Sequence, residues 1–490
     1  MTRSWSDLEQ HFSGISHLEH AMALMEWDQA TLLSDRGQGA RAEAMAELQL
    51  VINQRLRAPG LADSLSQLSQ QSMSASQQRL LELMSRRVRD ATLLDDDFVR
   101  RRVTLSVACE TRWRQARNED DFSLFKAAFE PVLALLKEEA EIRRSSAQAP
   151  LYQGLLNKFE PDLSLTQLQQ LFVPLKARLP ALIAEASERS RSRSSVPLPQ
   201  VEVDQQRQAL EALLPHLGFD LDGGRLDTST HPFSAGVPSD VRITTRYDHR
   251  QPLSAVYSMI HEAGHGCFEQ GIAARWHHTP MARVQSAALH EAQALSFEMQ
   301  LAREPDFIQW LSEFLQRHWG AHPGLEADNL GAHIGRVQPS LIRVEADEVT
   351  YPAHILLRLE LEQALLSGDL PLSDLPGAWR HGMQTLLGVS PDNNRDGCLQ
   401  DIHWCFGEFG YFPSYALGAM AAAQVFAGLR QSPQWRREPA ARGQWVRQQL
   451  QAGIWQHGGG ADLNQSCLNM TGQPLSAEAL LNHLSARYLA

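Results

Sequence analysis

Two histidines one helical turn apart, with an acid beside the first, stand at the centre of IHEAGHGCFEQG, Ile260 to Gly271. His261 and His265 are spaced i, i+4, so both imidazoles leave one face of a helix. Two neutral ring nitrogens so placed reach a single zinc ion. Glu262 is rotated by about 100° from His261 and flanks the ion without binding it. A carboxylate there is placed to take a proton from a water that the metal activates. The helix around them, PLSAVYSMIHEAGHGCFEQG, is mostly apolar. Its polar side chains would be partly buried, which favours a bound partner over a solvated helix face.

A zinc site needs a third protein ligand and one open position. The next helical stretch, about Met281 to Arg303, contains ALHEAQALSFE. Glu291 follows His265 after 25 intervening residues, which suits an antiparallel helix pair joined by GIAARWHHTP. Glu298 lies on the same face two turns on, so helical geometry favours Glu291 without excluding Glu298. His290 points away from Glu291 and is either a supporting donor or a plain helix residue. His277 and His278 are loop neighbours that chelate poorly together, and His318 and His322 straddle Gly320. His17 and His20 fit an ordinary helix surface. Cys267 is two residues past His265, off the histidine face, and is expected to be a small buried residue.

The elements that must position these groups are helical. LEHAMALMEW, FKAAFEPVLALLKEEAEIRR, LQQLFVPLKARLPALIAEA and HILLRLELEQALLSG space apolar residues at three and four. The one clear strand is DVRITTRYD, Asp240 to Asp248, after a turn segment HPFSAGVPS; weaker alternation surrounds Arg225 to Thr230. The Ser/Gln-rich stretch near residues 65–78 leads into a helix, and Ser187 to Gln200 is a solvated connection. No repeat and no boundary divides the chain, so residues 1–490 are expected to form one two-lobed body. A formal charge of −12 argues against nucleic acid or an anionic membrane as partner. No apolar run approaches the ~20 residues of a membrane span, and MTRSWSDLEQHF lacks the apolar core of a secretory signal. Five cysteines without a CxxC pair fit a reducing cytoplasm.

Five motifs in order carry a family resemblance: DVRIT (240–244), HEAGH (261–265), HEAQA (290–294), IRVEAD (342–347) and GCLQDIHW (397–404). LMEWDQATLL, FEPDLSL, EVTYPAHILLRLELEQAL, FGYFPSYALGAMAAAQVF, IWQHG and TGQPLS extend it over most of the chain. The chain resembles the carboxypeptidase Taq family of zinc metallocarboxypeptidases. That resemblance implies a mainly α, two-lobed body with a deep substrate groove, like neurolysin-type and angiotensin-converting-type peptidases. A small antiparallel β element would lie near the zinc site, and the zinc-binding helices would span about 252–303. It further implies a homodimer, peptide substrates and release of C-terminal residues with broad specificity. His261, His265 and Glu291 become the ligands of one zinc per chain, which cobalt can replace, and Glu262 the catalytic carboxylate. The family's third-ligand helix usually reads close to HESQSRLWE, against HEAQALSFE here, and WDQATLL lacks the usual Met-Pro after its Thr.

Peptide hydrolysis then needs a donor for the developing oxyanion, and Tyr411, Tyr415 or His403 could supply it. A carboxypeptidase also needs a fixed cation for the terminal carboxylate; Arg343 is the first candidate and Arg242 the second. Arg343 would otherwise pair internally with Glu345, Asp347 or Glu348. The DVRITT strand could pair with the substrate backbone as an edge strand. Cleavage of end-blocked peptides would instead mark an endopeptidase, and absence of bound metal a non-catalytic peptide-binding protein.

Overall fold

The structure is a computed structural model that describes residues 3–191 and 195–490. Among these residues, nine helices precede a small sheet: α1 (Trp5–Thr31), α2 (Gln38–Leu56), α3 (Leu61–Leu68), α4 (Ala75–Leu93), α5 (Asp96–Glu119), α6 (Phe122–Arg143), α7 (Leu151–Leu156), α8 (Leu165–Arg191) and α9 (Val203–Leu217). Strands β1 (Gly224–Thr228), β2 (Ser234–Val237) and β3 (Asp240–Thr245) follow. Then come α10 (Pro252–Gly271), α11 (Ala287–Leu295), α12 (Pro305–Trp319), α13 (Ala327–Ile334), α14 (Tyr351–Ser367) and α15 (Leu375–Leu387). The chain closes with α16 (Pro413–Arg430), α17 (Pro439–Gly453), α18 (Leu463–Thr471) and α19 (Ala477–Tyr488). The mainly α expectation holds.

Local chemistry explains many of the boundaries. Ser4 and Asp7 form a capping box at the start of α1, as Ser74 and Gln77 do for α4. Pro252 opens α10, where its missing N–H costs nothing. Gly368 ends α14 at φ +87°, a conformation that an L side chain resists.

Helices α1–α4 enclose their own apolar core, built on Leu8, Phe12, Ile15, Leu65 and Met84, into which Met281 inserts from the loop before α11. Most of the rest of the chain shares one large core running from Cys109 to Tyr488, and Leu94, Phe98 and Leu135 form a small separate cluster. Polar contacts join the two larger cores: His20 Nε2 lies 3.4 Å from Asp240 Oδ2, and the Arg242 guanidinium sits 4.3 Å from the Trp27 ring centre.

Several expectations need correction. The sheet is mixed: its order is β1-β3-β2, with β3 parallel to β1 and antiparallel to β2. The residues between β2 and β3 make a tight reversal, which forces those neighbours antiparallel. The link from β1 to β2 crosses the end of β3, so β3 inserts between the other two. Part of the HPFSAGVPS turn segment is therefore strand β2. Because β3 is hydrogen-bonded on both sides, the DVRITT strand has no free edge for a substrate. The helix expected from Met281 begins only at Ala287, capped by Ser286, and passes into a π-helical stretch at Ser296–Leu301. The supposed connection from Ser187 starts as the last turns of α8; its residues 192–194 lie outside the described residues.

Candidate metal centre

Helix α10 presents Tyr257, His261 and His265 at successive i+4 positions, and α11 lies across it carrying Glu291. Two glycines allow the approach. A Cβ on Gly264 would stand 2.6 Å from the Ala294 Cα, so α10 and α11 touch backbone to backbone. A Cβ on Gly418 would stand 2.9 Å from the Glu291 Cβ, so α16 presses α11 from behind. The buried alanines of α16, among them Ala416, Ala419 and Ala422, keep that face low.

The outcome is a three-donor cluster. His261 Nε2 and His265 Nε2 each lie 4.0 Å from Glu291 Oε2, and all three donor atoms fall within 4.8 Å of one another. A tetrahedral zinc site with bonds of about 2.1 Å separates its donors by about 3.4 Å, so a small inward movement closes the site on an ion. His261 Nδ1 is 2.9 Å from Glu298 Oε2, which leaves Nε2 free to face Glu291. Glu298, the alternative ligand on helical spacing, thus stands behind His261, within the π-helical stretch.

Charge and burial differ sharply between the two histidines. Burial, reinforced by His290 and His261, holds His265 well below the ordinary imidazole range and keeps it neutral, the form a metal binds. At His261, burial is outweighed by the Glu298 hydrogen bond and by the charges of Glu291, Glu298 and Glu262, which raise the ring to about 10. Burial likewise raises Glu291, with Glu298 adding to it and His261 opposing. Glu262 is 6% exposed, and its Oε2 is buried without a hydrogen-bond partner. Burial, opposed by His261 and helped by Glu291, pushes its carboxyl up to about 7. His290 turns toward this cluster: its ring stacks on His265 with centroids 4.1 Å apart, and its Nε2 lies 3.2 Å from Glu269 Oε1. Cys267 is buried, as expected.

A second group gathers near Glu291. Arg343 Nε donates to Asp401 Oδ1 at 3.1 Å, and Arg358 Nε to Asp401 Oδ2 at 2.7 Å. Gln400 Oε1 accepts from the Arg343 backbone N–H and from Arg358 Nη2. Arg343 therefore pairs with Asp401 rather than with Glu345, Asp347 or Glu348. Its guanidinium lies over the rings of Phe412 and Tyr415, at 5.3 and 5.2 Å. Among the described residues, its two terminal nitrogens donate to no protein group. The Tyr411 and Tyr415 rings meet edge to face at 5.3 Å, and Tyr351 meets Tyr415 at 6.0 Å. Burial raises all three hydroxyls above their ordinary range, and the Glu291 charge adds to it. His403 stacks on Tyr411 and meets Phe412 at a tilt; burial, with Arg343 and Arg358, lowers it to about 4 against the pull of Asp401. Arg242 is engaged elsewhere, by Asp240 at 3.0 Å and by Trp27.

A model of the family described as carboxypeptidase Taq (M32) metallopeptidase matches residues 7–488. The chain belongs to this family. It is 32% identical over 484 residues to carboxypeptidase 1 of Bacillus subtilis (strain 168), covering 97% of this chain and 96% of that one. It is 34% identical over 501 residues to thermostable carboxypeptidase 1 of Thermus thermophilus, with the same coverage. Among solved structures it superposes on Trypanosoma cruzi metallocarboxypeptidase 1 with a TM-score of 0.96 at 32% identity, covering 99% of each chain. An M32 carboxypeptidase from Deinococcus radiodurans gives 0.91 at 27%, covering 99% and 98%.

This M32 carboxypeptidase is thus a metal-dependent peptide hydrolase, and its His/His/Glu cluster has the composition such an ion requires. Sequence reasoning passed over Asp401, Arg358 and Tyr351. A signal existed for Arg358, a lone cation in the apolar run HILLRLELEQAL, because a buried charge calls for a partner. The altered HEAQALSFE helix keeps Gln293, which accepts from Trp455 Nε1 at 2.8 Å, and buries Ala292, Ala294, Leu295 and Phe297.

Proposed function

We propose that this enzyme is a zinc carboxypeptidase in which His261, His265 and Glu291 hold one zinc per chain and Glu262 is the catalytic carboxylate. Two imidazoles and one carboxylate suit zinc, and cobalt accepts the same donors. When bound, zinc supplies Lewis acidity that polarises the peptide carbonyl and lowers the pKa of water. Glu262 takes a proton from the attacking water at Oε2 and passes it to the departing amine nitrogen. Its orphaned, buried oxygen and raised pKa support that role. Tyr411, Tyr415 and His403 surround the region near Glu291 and offer donors to charge developing on the carbonyl oxygen.

Arg343 receives the C-terminal carboxylate of the peptide. The observation that carries this reading is its charge balance. Two buried guanidiniums share the single carboxylate of Asp401, and among the described residues the terminal nitrogens of Arg343 donate to no protein group. A bidentate carboxylate satisfies both deficits at once. Arg242 is already committed to Asp240 and Trp27, which makes it the weaker candidate. Beside His290, a cavity of about 400 Å³ is lined by Glu19, His20, Glu269 and the edge strand β2. Its mixed chemistry fits broad side-chain specificity. The N-terminal helices that border it have a core of their own, which fits one of two lobes around a substrate groove, and Met281 inserted into that core ties it to the rest as one domain over residues 1–490.

The family resemblance also carries a homodimeric state, and the cysteine usage carries a cytoplasmic location. Five unpaired, buried cysteines fit the latter, and no described helix is long and apolar enough to cross a membrane. Light scattering would check the dimer, expected at twice the chain mass.

The central test compares one peptide as free acid and as C-terminal amide. Wild type should strongly prefer the acid, and Arg343→Ala should lose about ten- to a hundredfold in kcat/KM on the acid alone. A wild type that cleaves both equally would refute recognition of the terminal carboxylate. A variant that still discriminates would transfer the role to Arg242.

A further inference from the structure

The carboxylate behind His261 sits on an irregular turn, and the last helix holds that turn. Glu298 belongs to the π-helical stretch Ser296–Leu301. A π turn takes more residues per turn than an α-helix, so a residue inside it, as Glu298 is, departs from the direction that α-helical spacing would give it. Such turns persist where outside contacts satisfy the displaced backbone. Here Arg487 Nη1 of α19 donates to the Met299 carbonyl at 2.5 Å. Arg430 donates to Gln300 Oε1 at 3.2 Å, and His483 Nε2 is 3.1 Å from Gln300 Nε2. The same helix closes a second path. Glu348, 2% exposed, accepts from Tyr488 Oη at 2.7 Å and from Arg487 Nη1 at 3.0 Å, and His483 Nε2 stands 2.8 Å away. Arg303 Nη1 reaches Tyr488 Oη at 3.5 Å, while its Nη2 stands 3.7 Å from Glu298 Oε1.

We propose that Arg487 and Tyr488, with Arg303 and Glu348, are positioning residues for the metal: they hold the turn that aims Glu298 at His261. The inference rests on the ligand assignment proposed above. Outer groups that orient a histidine ligand alter metal affinity by about ten- to a hundredfold when removed.

The experiment loads each protein with zinc and follows transfer to a colorimetric chelator, which reads the site without substrate. Tyr488→Phe removes one hydroxyl and should fold; it should release zinc about tenfold faster than wild type, as should Arg487→Met. Glu298→Gln should be at least as fast, and Arg487→Lys should recover most of the wild-type rate. Leu65→Ala, in the separate core of the N-terminal helices, should lower Tm and leave zinc release unchanged. Release within twofold of wild type from both Tyr488→Phe and Arg487→Met, with Glu298→Gln fast, would overturn the role of α19. Equal loss from Leu65→Ala would overturn it too, by showing that general destabilisation suffices. Failure of the underlying reading looks different: wild type itself would hold no zinc that His265→Ala removes.

Discussion

The histidine pair and the arginine–tyrosine group both lie near Glu291 and are built in opposite ways. His261 and His265 are set by one helix, four residues apart, and a single crossing by α11 completes their cluster. Arg343, Arg358, Asp401 and Tyr415 come from four stretches of chain, and no two of them are closer than 14 residues in sequence. The first group stores its geometry in local backbone; the second stores it in charge pairing. Removing a member of the first should therefore abolish binding without unfolding the protein. Removing a member of the second should cost stability as well as recognition.

The largest expected effect is on the metal. His265→Ala takes away one of two imidazoles and should remove both bound metal and activity while the fold remains; metal analysis and circular dichroism check both halves. Full metal occupancy in that variant would break the ligand assignment. Glu262→Gln comes next. It keeps shape and metal but removes the proton acceptor, so turnover should fall roughly a hundredfold or more with zinc content unchanged. Near-normal turnover would mean that another group carries the proton.

Asp401→Asn tests the other side of the comparison. It leaves two buried guanidiniums without their counter-charge and should destabilise the protein by about 3–5 kcal/mol. Preference for a free terminal carboxylate should weaken at the same time. The pH dependence sharpens this. Burial opposes ionisation of Asp401, but Arg358 and Arg343 overcome it and hold the carboxyl far below the usual range. A depressed folded pKa contributes stability above the unfolded value of about 4 and loses it as pH falls toward the folded value. Thermal unfolding of wild type should weaken over that acidic interval, and Asp401→Asn should lack that component. The smallest effect concerns packing. Gly418→Ala places a methyl against Glu291 and should loosen zinc binding only several-fold, because α16 can shift slightly. No change in zinc release would mean that the α11–α16 contact does not set the third ligand.

Much of the metal centre was legible before any fold was known. The i, i+4 rule placed His261 and His265 on one face, and burial of an apolar helix argued for a partner. Spacing alone narrowed the candidate third ligand to Glu291 or Glu298, and only the family resemblance selected Glu291, because helical spacing cannot foresee a π turn within the same segment. Strand β3 was found from its alternation, yet its place at the centre of a mixed sheet was not. Pattern along one strand says which face is buried and nothing about which strands flank it.

The sequence by itself determined the helical character, the HEAGH donor pair with its adjacent acid and, through its motifs, the family, because these depend on spacing within single segments. Only the tertiary structure decided that Glu298 stands behind His261, that Asp401 bridges Arg343 and Arg358, and that Trp27 covers Arg242. Those choices are settled by which oppositely charged partner comes within reach once apolar surfaces have packed. Asp401 meets Arg358 and Arg343 across 43 and 58 positions, for reasons that no local pattern records.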